Sequence, residues 1–172
     1  MKLGQILEGK NTPTLHFLCG KLAAGKTTLA REIAAEHGAV LICEDIWLQR
    51  LFPTDIADFN DYLTYSARLK RVVAPHVREL LAIGQSVVLD FPANVPETRQ
   101  WIRSIFEAAN ADHVLHFVDT PNRKCIEQMQ RRNQERPEGS VETTVEQFER
   151  ITSFFRPPAP EEGFNVLTHC RA

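Results

Sequence analysis

The chain has 172 residues, 43% of them hydrophobic and 24% charged, and its formal net charge is −2. These values suit one globular domain with a buried core, and they do not favour nucleic acid or a membrane surface as the main partner. Because no apolar run reaches the roughly 20 residues of a membrane-spanning helix and the N-terminus lacks the apolar core of a signal peptide, we expect a cytoplasmic protein.

Predicted strands and helices alternate along the chain. After a lead-in over residues 1–12, apolar segments predict strands at 15–19, 39–43, 86–91, 113–118 and 164–169. Amphipathic segments predict helices at 26–37, about 61–83, 96–109, from Pro121 to before Pro137, and about 141–155. Pro75 is expected to kink or divide the second helix. This alternation predicts a single α/β domain, residues 1–172, whose five-stranded parallel sheet is covered on both faces.

Residues 20–27 read Gly-Lys-Leu-Ala-Ala-Gly-Lys-Thr and match the pattern G-x-x-x-x-G-K-[ST] in full. We call this segment the phosphate loop. A strand leads into it and a helix leaves it, so backbone N–H groups and the positive end of the helix dipole meet at a bound phosphate. The pattern predicts that ATP and Mg²⁺ bind here, with Lys26 at the β and γ phosphates and Thr27 at the metal. The predicted nucleotide-binding residues are Gly20, Lys21, Leu22, Ala23, Ala24, Gly25, Lys26, Thr27 and Thr28.

Two of these loop residues are unusual, because Ala23 and Ala24 stand where such loops often carry another glycine. If the backbone is left-handed there, alanine costs about 1 kcal/mol relative to glycine. We interpret the segment as a variant of the loop.

Acidic residues follow two predicted strands. In an open parallel sheet the carboxyl ends of the strands line the ligand crevice. Asp45 is therefore a candidate catalytic residue that accepts a proton from an attacking hydroxyl, although it could instead cap a helix. Glu44 is the weaker candidate. Asp90 is a candidate Mg²⁺ ligand, directly or through water, and its alternative role is to begin a turn.

Three arginines, Arg131, Arg132 and Arg136, lie near the end of a predicted helix. Arginines carried by a mobile segment can stabilise charge on a transferred phosphoryl group and exclude water. We predict a lid at about residues 122–140, with Arg132 and Arg136 as catalytic residues and residues 137–140 as its flexible end. The alternative is a solvated helix terminus, where basic residues favour the helix dipole.

The segment Trp47–Arg68 is rich in aromatic residues and lies between the second and third predicted strands. It could form a pocket for a small planar or glycosidic acceptor, or it could simply be core. The four cysteines, Cys19, Cys43, Cys125 and Cys170, are widely spaced and are predicted to be buried free thiols.

Together, the phosphate loop, Glu44-Asp45, Val88-Leu89-Asp90-Phe91-Pro92 and Arg132-Asn133-x-x-Arg136-Pro137 resemble a family of small kinases. These phosphate-loop proteins are often labelled AAA-family ATPases and are related to zeta toxins, chloramphenicol phosphotransferase and polynucleotide 5′-kinase. The resemblance spans about Leu15–His169. It implies a nucleotide-kinase-like, three-layer α/β/α fold, an acceptor-activating role for Asp45 and phosphate contacts for Arg132 and Arg136. It also implies that Asn94 and Arg99 lie near the acceptor.

Three functions remain open on the sequence. The first is an ATP-dependent phosphotransferase that acts on a hydroxyl of a small molecule. The second is a polynucleotide or nucleoside 5′-hydroxyl kinase, which the charge does not favour. The third is a nucleotide-dependent regulator with slow ATP hydrolysis.

Overall fold

The computed structural model describes residues 12–171, so most of the predicted lead-in lies outside the described residues. The strands are β1 (Thr14–Cys19), β2 (Val40–Cys43), β3 (Val87–Pro92), β4 (Asp112–Asp119) and β5 (Val166–Cys170). The helices are α1 (Lys26–His37), α2 (Glu44–Leu51), α3 (Phe59–Ala82), α4 (Pro96–Ala108), α5 (Asn122–Glu135) and α6 (Val145–Ser153). A single 3₁₀ turn, Pro160–Glu162, precedes β5.

The five strands form one parallel sheet in the order β2-β3-β1-β4-β5, which confirms the predicted α/β class. The chain builds one half of the sheet on one side of β1 and then crosses to build β4 and β5 on the other side. Because neighbouring connections leave in opposite directions at β1, a crevice opens at its carboxyl end. The sheet therefore places its ligand crevice at the residues that follow β1.

Helices cover both faces of the sheet and bury two separate clusters of apolar side chains. One cluster joins strand residues such as Phe17 and Leu89 to α2, α3 and α4. The other joins Leu18 and Val88 to α1, α5 and α6. Consecutive strand residues contribute to opposite faces, as the period of two requires. The predicted three-layer α/β/α arrangement is confirmed. None of the helices in the described part of the chain is long and apolar enough to cross a bilayer.

Helix α3 runs without interruption through Pro75, so the expectation that this proline divides it is wrong. Proline removes one helix hydrogen bond, which costs most where water cannot replace the lost partner. Pro75 is exposed. The opposite side of the helix buries a stripe that includes Leu69, Val73 and Val77, and this burial holds the helix together across the proline.

Helix α2 was considered only as the alternative in which Asp45 caps a helix, and that capping role is wrong because Cys43 is the N-cap residue. It begins at Glu44, immediately after β2, with no capping side chain. Glu44 and Asp45 occupy its first turn, where negative charge is favoured by the helix dipole. The helix is too short to show a periodic pattern in the sequence, and Leu48 is its buried apolar residue.

Two smaller predictions also need correction. Thr120-Pro121 is typical of an N-cap followed by proline at the first helical position, but helix α5 begins at Asn122 and its N-cap residue is Pro121. Three cysteines are buried as predicted, but Cys170 is exposed. Its strand β5 lies at the edge of the sheet, where most of its residues are exposed.

Histidines form a row across one face of the sheet. The ring nitrogens of His16 and His116 are 3.1 Å apart, and those of His116 and His169 are 3.0 Å apart. The ring of His37 stacks on His16 at a centroid distance of 4.8 Å. Burial, and then the neighbouring imidazoles, lower the pKa of His16 and of His116 from 6.5 to about 4. Both side chains are therefore neutral in the folded protein at pH 7.

The row predicts that acid destabilises the fold. The unfolded histidines take up protons as the pH falls below about 6.5, whereas buried His16 and His116 resist protonation until about pH 4. Their contribution to stability is complete above pH 6.5 and is lost towards pH 4, on the order of 2 kcal/mol for each histidine. Urea unfolding between pH 7 and pH 4.5 measures this slope. The variant His16→Gln/His116→Gln should have a flatter slope, and an unchanged slope would contradict the assignment.

Candidate active site

The phosphate loop connects β1 to α1 and is closely packed at both ends. The N–H group of Gly20 donates to Oδ1 of Asn94 at 3.0 Å. A Cβ atom at Gly20 would lie 2.8 Å from the carbonyl oxygen of Val118, so only glycine fits there. Gly25 has φ 97° and leads into α1 without a capping side chain. The first N–H groups of α1 are therefore left for a bound anion.

The backbone dihedral angles show which of the two alanines in the phosphate loop is strained. Ala23 has φ 56°, in the left-handed region, whereas Ala24 is not among the described residues with positive φ. The strain predicted for the loop thus falls on Ala23 alone, at a cost of about 1 kcal/mol.

Lys26 begins α1 and folds back over the loop. Its Nζ donates to the carbonyl oxygens of Gly20 and Lys21, each at 2.7 Å. Burial lowers the pKa of Lys26, and the nearby carboxylates of Asp90 and Asp45 oppose that shift. The ammonium is thus held beside the loop by carbonyl oxygens, which an incoming phosphate can replace.

The junction between β4 and α5 supports the loop from the other side. Nζ of Lys21 donates to the carbonyl oxygen of Thr120 at 3.2 Å and to Oδ1 of Asn122 at 2.7 Å. The buried hydroxyl of Thr120 donates to the carbonyl oxygen of Ala24 at 3.0 Å. Neither Thr120 nor Asn122 could be assigned to the loop from the sequence, because a lone Thr or Asn belongs to no recognisable pattern.

The parallel register brings the predicted acidic residues to the same edge. Cys43 pairs with Asp90 across β2 and β3, and its Sγ donates to Oδ2 of Asp90 at 3.3 Å. Asp90 is only 8% exposed. Burial and the neighbouring carboxylate raise the pKa of the Cys43 thiol to about 12, so this thiol stays protonated.

The two acidic residues at the start of α2 have different surroundings. Buried Glu44 accepts hydrogen bonds from the hydroxyls of Tyr62 at 2.9 Å and Ser66 at 2.6 Å, so its carboxylate anchors α3. Burial, followed by the charge of Glu44, raises the pKa of the Tyr62 hydroxyl well above 10, which keeps it a donor. The lower ranking of Glu44 as a catalytic candidate agrees with this structural role.

Asp45 reaches solvent on one side but is enclosed by charged neighbours on the other. Partial removal from water, and then the charges of Glu44 and Asp90, raise its pKa from 3.8 to about 6. Lys26 and Arg132 oppose this rise. A carboxyl group with a pKa near neutrality is suited to accept a proton and release it again.

The structure brings Arg132, but not Arg136, close enough to Asp45 for their charges to interact. Burial lowers the pKa of Arg132, and the charge of Asp45 opposes that shift. Within residues 12–171, the buried Nε of Arg132 has no hydrogen-bond partner. Arg136 ends α5 with φ 46°, is largely exposed and lies 3.5 Å from a carboxylate oxygen of Glu142. Arg132 is therefore the arginine aimed into the site.

The loop after α5, predicted as the flexible end of a lid, is docked on α2. The guanidinium of Arg50 pairs with Glu138 through two contacts of 2.6 and 3.0 Å. The N–H group of Gly139 donates to Oε1 of Gln49 at 2.5 Å. A Cβ atom at Gly139 would stand 3.2 Å from Cβ of Asp45, so glycine permits this approach. We call residues 137–140 the lid loop.

Two positions implied by the resemblance have other roles here. Asn94 binds the phosphate loop through Gly20. Arg99 is fully buried, forms a two-pronged ion pair with Glu162 at 2.7 Å and donates to the carbonyl oxygens of Ala93 and Arg156. These contacts hold the chain before β5, and the expectation that Arg99 lies near the acceptor stays a prediction.

Arg171, which follows β5, was not predicted to lie at the site. Its backbone N–H group donates to the carbonyl oxygen of Asp119 at 3.0 Å. Its guanidinium lies 3.4 Å from the place where a Cβ atom of Gly25 would stand. A positive charge thus lies against the phosphate loop. No spacing in the sequence relates these residues, since they are far apart along the chain and only the sheet brings them together.

The residues predicted to hold Mg²⁺ suit a metal that is bound mainly by phosphate and water. Within residues 12–171 there is no group of three His, Cys, Asp or Glu side chains arranged to hold an ion. Mg²⁺ usually takes only one or two protein ligands and keeps several waters. Thr27 lies in the first turn of α1, and Asp90 lies near Lys26. This donor set fits Mg²⁺ together with a nucleotide.

The parallel sheet and the loop at its carboxyl edge define the class: a phosphate-loop NTPase fold. Residues 15–158 match the family described as an AAA domain. Because this match covers most of the 172 residues, the chain belongs to that family. The resemblance found in the sequence is confirmed. A search of curated proteins gives no match.

Solved structures share this fold at low sequence identity. A candidate kinase from Chloroflexus aurantiacus j-10-fl is 18% identical, with a TM-score of 0.75 over 94% of this chain and 87% of that chain. Kti12 of Chaetomium thermophilum, in complex with ADP-AlF3, is 18% identical, with a TM-score of 0.65 and coverage of 91% and 88%. Mycobacterium tuberculosis APS kinase, in complex with AMPPNP and APS, is 19% identical, with a TM-score of 0.60 and coverage of 94% and 91%. These likenesses establish the fold alone.

The backbone of the loop predicts opposite effects for its two alanines. Ala23→Gly should raise the free energy of unfolding by about 0.5 kcal/mol, because relief of left-handed strain exceeds the entropy that glycine adds to the unfolded chain. Ala24→Gly, at a buried neighbour without positive φ, should lower it by about 1 kcal/mol. Urea denaturation followed by circular dichroism measures both. Equal effects of the two substitutions would exclude strain at Ala23.

Proposed function

We propose that this protein is an ATP-dependent, Mg²⁺-dependent phosphotransferase that moves the γ-phosphate of ATP to a hydroxyl group of a small molecule. The observation that carries the proposal is the meeting of Lys26, Asp45, Asp90 and Arg132 at the carboxyl edge of the sheet. A loop that only binds nucleotide does not need a carboxyl group with a raised pKa beside it. The kinase-type fold supports the same reaction class.

Each group has a role in the donor half of the site. The N–H groups of the phosphate loop bind the phosphates, and Lys26 leaves the carbonyl oxygens of the loop to pair with the β and γ oxygens. Thr27 and Asp90 would hold Mg²⁺, directly or through water, and the bound ion would neutralise phosphate charge. Arg132 pairs its guanidinium with the γ-phosphate oxygens. Arg136 is proposed to join it only when the end of α5 moves inward, since it now lies beside Glu142.

Asp45 serves the acceptor half. The acceptor oxygen forms a bond to the γ-phosphorus while the bond from that phosphorus to the bridging oxygen breaks and ADP leaves. The proton of the hydroxyl passes to the carboxylate of Asp45. The lid loop covers one side of Asp45 through Gly139, which limits the entry of water that would otherwise take the phosphoryl group.

Two substitutions separate nucleotide binding from transfer. Lys26→Ala should weaken ATP binding at least tenfold, because it removes the positive charge at the β and γ phosphates. Asp45→Asn should leave ATP binding within about twofold and lower transfer by about a hundredfold or more, because the amide accepts no proton. Isothermal titration with ATP and transfer of labelled γ-phosphate to a panel of nucleosides, oligonucleotides and hydroxylated metabolites measure the two properties.

Other results of this experiment have defined meanings. Labelling of oligonucleotide 5′-hydroxyls alone would replace the small-molecule acceptor by a nucleic acid. Slow ATP hydrolysis that persists in Asp45→Asn, with no labelled acceptor, would indicate the regulator. Undiminished ATP binding by Lys26→Ala would contradict the assignment of the phosphate loop as the nucleotide-binding site.

The pKa of Asp45 predicts the pH dependence of transfer. A general base acts in its deprotonated form, so kcat/KM should be half-maximal near pH 6 and should fall about tenfold for each pH unit below that value. Raising the pH above about 7 should bring no further gain from this group. Initial rates between pH 4.5 and pH 8 at constant ionic strength measure the profile. A flat profile down to pH 5 would exclude Asp45 as the base.

A further inference from the structure

Cys43 and Asp90 end neighbouring strands and lie side by side in the sheet. The parallel register pairs Cys43 of β2 with Asp90 of β3. Paired side chains point to the same face of a sheet, and two residues earlier Leu41 and Val88 pack into the cluster that includes α1. The thiol and the carboxylate therefore both face the side of the sheet on which α1 begins with Lys26.

The thiol holds one oxygen of the carboxylate. Sγ of Cys43 donates to Oδ2 of Asp90 at 3.3 Å, and the two residues are only 5% and 8% exposed. Within residues 12–171, the carboxylate of Asp90 accepts no other hydrogen bond from a protein group and forms no ion pair. Its second oxygen, Oδ1, is thus left without a protein donor.

The nearby ammonium of Lys26 does not take this second oxygen. Nζ of Lys26 donates instead to the carbonyl oxygens of Gly20 and Lys21. Burial lowers the pKa of Lys26, and the charge of Asp90 is the largest of those that oppose this shift. A protonated thiol is a weak, uncharged donor, so it orients the carboxylate of Asp90 without neutralising it. A carboxylate with one oxygen fixed and the other available suits a bound cation.

Resting on the proposed function, we propose that Cys43 is a positioning residue for the Mg²⁺ ion that accompanies ATP. Its S–H group fixes Oδ2 of Asp90 and leaves Oδ1 for the ion or for one of its water molecules. The thiol acts through Asp90 and does not contact the metal. Partners that orient a metal-binding side chain in this way contribute about 10- to 100-fold to metal affinity.

Substitution of Cys43 tests this role through Mg²⁺ binding and without turnover. The full chain is titrated with the fluorescent analogue mant-ATP in EDTA and then at increasing Mg²⁺ concentrations. Cys43→Ala should raise the half-maximal Mg²⁺ concentration about tenfold, because the carboxylate loses its fixed orientation. Cys43→Ser should restore most of the affinity, since a hydroxyl can donate the same hydrogen bond. Binding of mant-ATP in EDTA should change less than twofold in both variants.

Two further variants show whether the effect passes through Asp90. In the Asp90→Asn background, Cys43→Ala should cause less than a twofold further loss, because the carboxylate that it orients is already gone. Cys19→Ala is the matched control, since Cys19 is another buried thiol at the end of a strand but belongs to the cluster on the opposite face of the sheet. It should leave the Mg²⁺ dependence unchanged. Urea unfolding of each variant records any loss of stability separately.

The outcomes also separate the positioning role from the proposed function. A shift in Cys43→Ala that serine reverses and that disappears in the Asp90→Asn background supports the role. An unchanged Mg²⁺ dependence in Cys43→Ala, an equal shift in Cys19→Ala or a fully additive loss in the double variant overturns it and leaves the phosphotransferase standing. A loss of stability in Cys43→Ala without a shift in Mg²⁺ affinity also overturns it, because the thiol then serves packing alone. The absence of a labelled acceptor in the transfer panel counts against the phosphotransferase but does not affect the Mg²⁺ titration.

Discussion

The ammonium of Lys26 is held among the carbonyl oxygens of Gly20 and Lys21 in a part of the protein that is largely withdrawn from water. A charge in that position is costly unless other charges and dipoles compensate it. The carboxylates of Asp90 and Asp45 supply the compensation, and they come from two other strand ends. The charge of Lys26 is therefore compensated by carboxylates at the ends of β2 and β3, so the position of the phosphate loop depends on those two strands.

The arrangement depends on how firmly the loop is supported. Asn94 holds its first residue, Thr120 holds Ala24, and Arg171 lies against Gly25. These three supports come from the ends of β3, β4 and β5. Because all strands are parallel, their carboxyl ends lie at one edge, so each connection can contribute one group to the same loop. The strained backbone at Ala23 persists within this surrounding structure.

The region around Asp45 shows how the same helix can serve packing and chemistry. Glu44 turns inward to Tyr62 and Ser66, and Asp45 faces the crevice. Successive helix residues point about 100° apart, so two adjacent carboxylates meet different environments. The lid loop then closes over Asp45, because Gly139 has no side chain to obstruct it. Fold and candidate site therefore share residues at the start of α2.

Much of the fold and the donor half of the site could be predicted from local pattern. The phosphate loop is a contiguous motif, and the strand ends at Asp45 and Asp90 follow from short apolar runs bounded by acidic residues. Helix α2 was considered only as an alternative to a catalytic role of Asp45, because eight residues give too little sequence to establish a helical period. The ion pair of Arg99 with Glu162 could not be predicted from a pattern, because the two residues lie far apart along the chain.

The sequence by itself determined the class of fold and the segment proposed to bind phosphate, because both depend on neighbours along the chain. Tertiary structure alone decided that Arg132 interacts with Asp45, that Arg171 lies against the phosphate loop, and that Glu138 forms an ion pair with Arg50. Those contacts join residues far apart in the chain, and their geometry follows from strand order and helix packing. Residue spacing along the sequence cannot predict such distances, since they are fixed only when all five strands have assembled into the sheet.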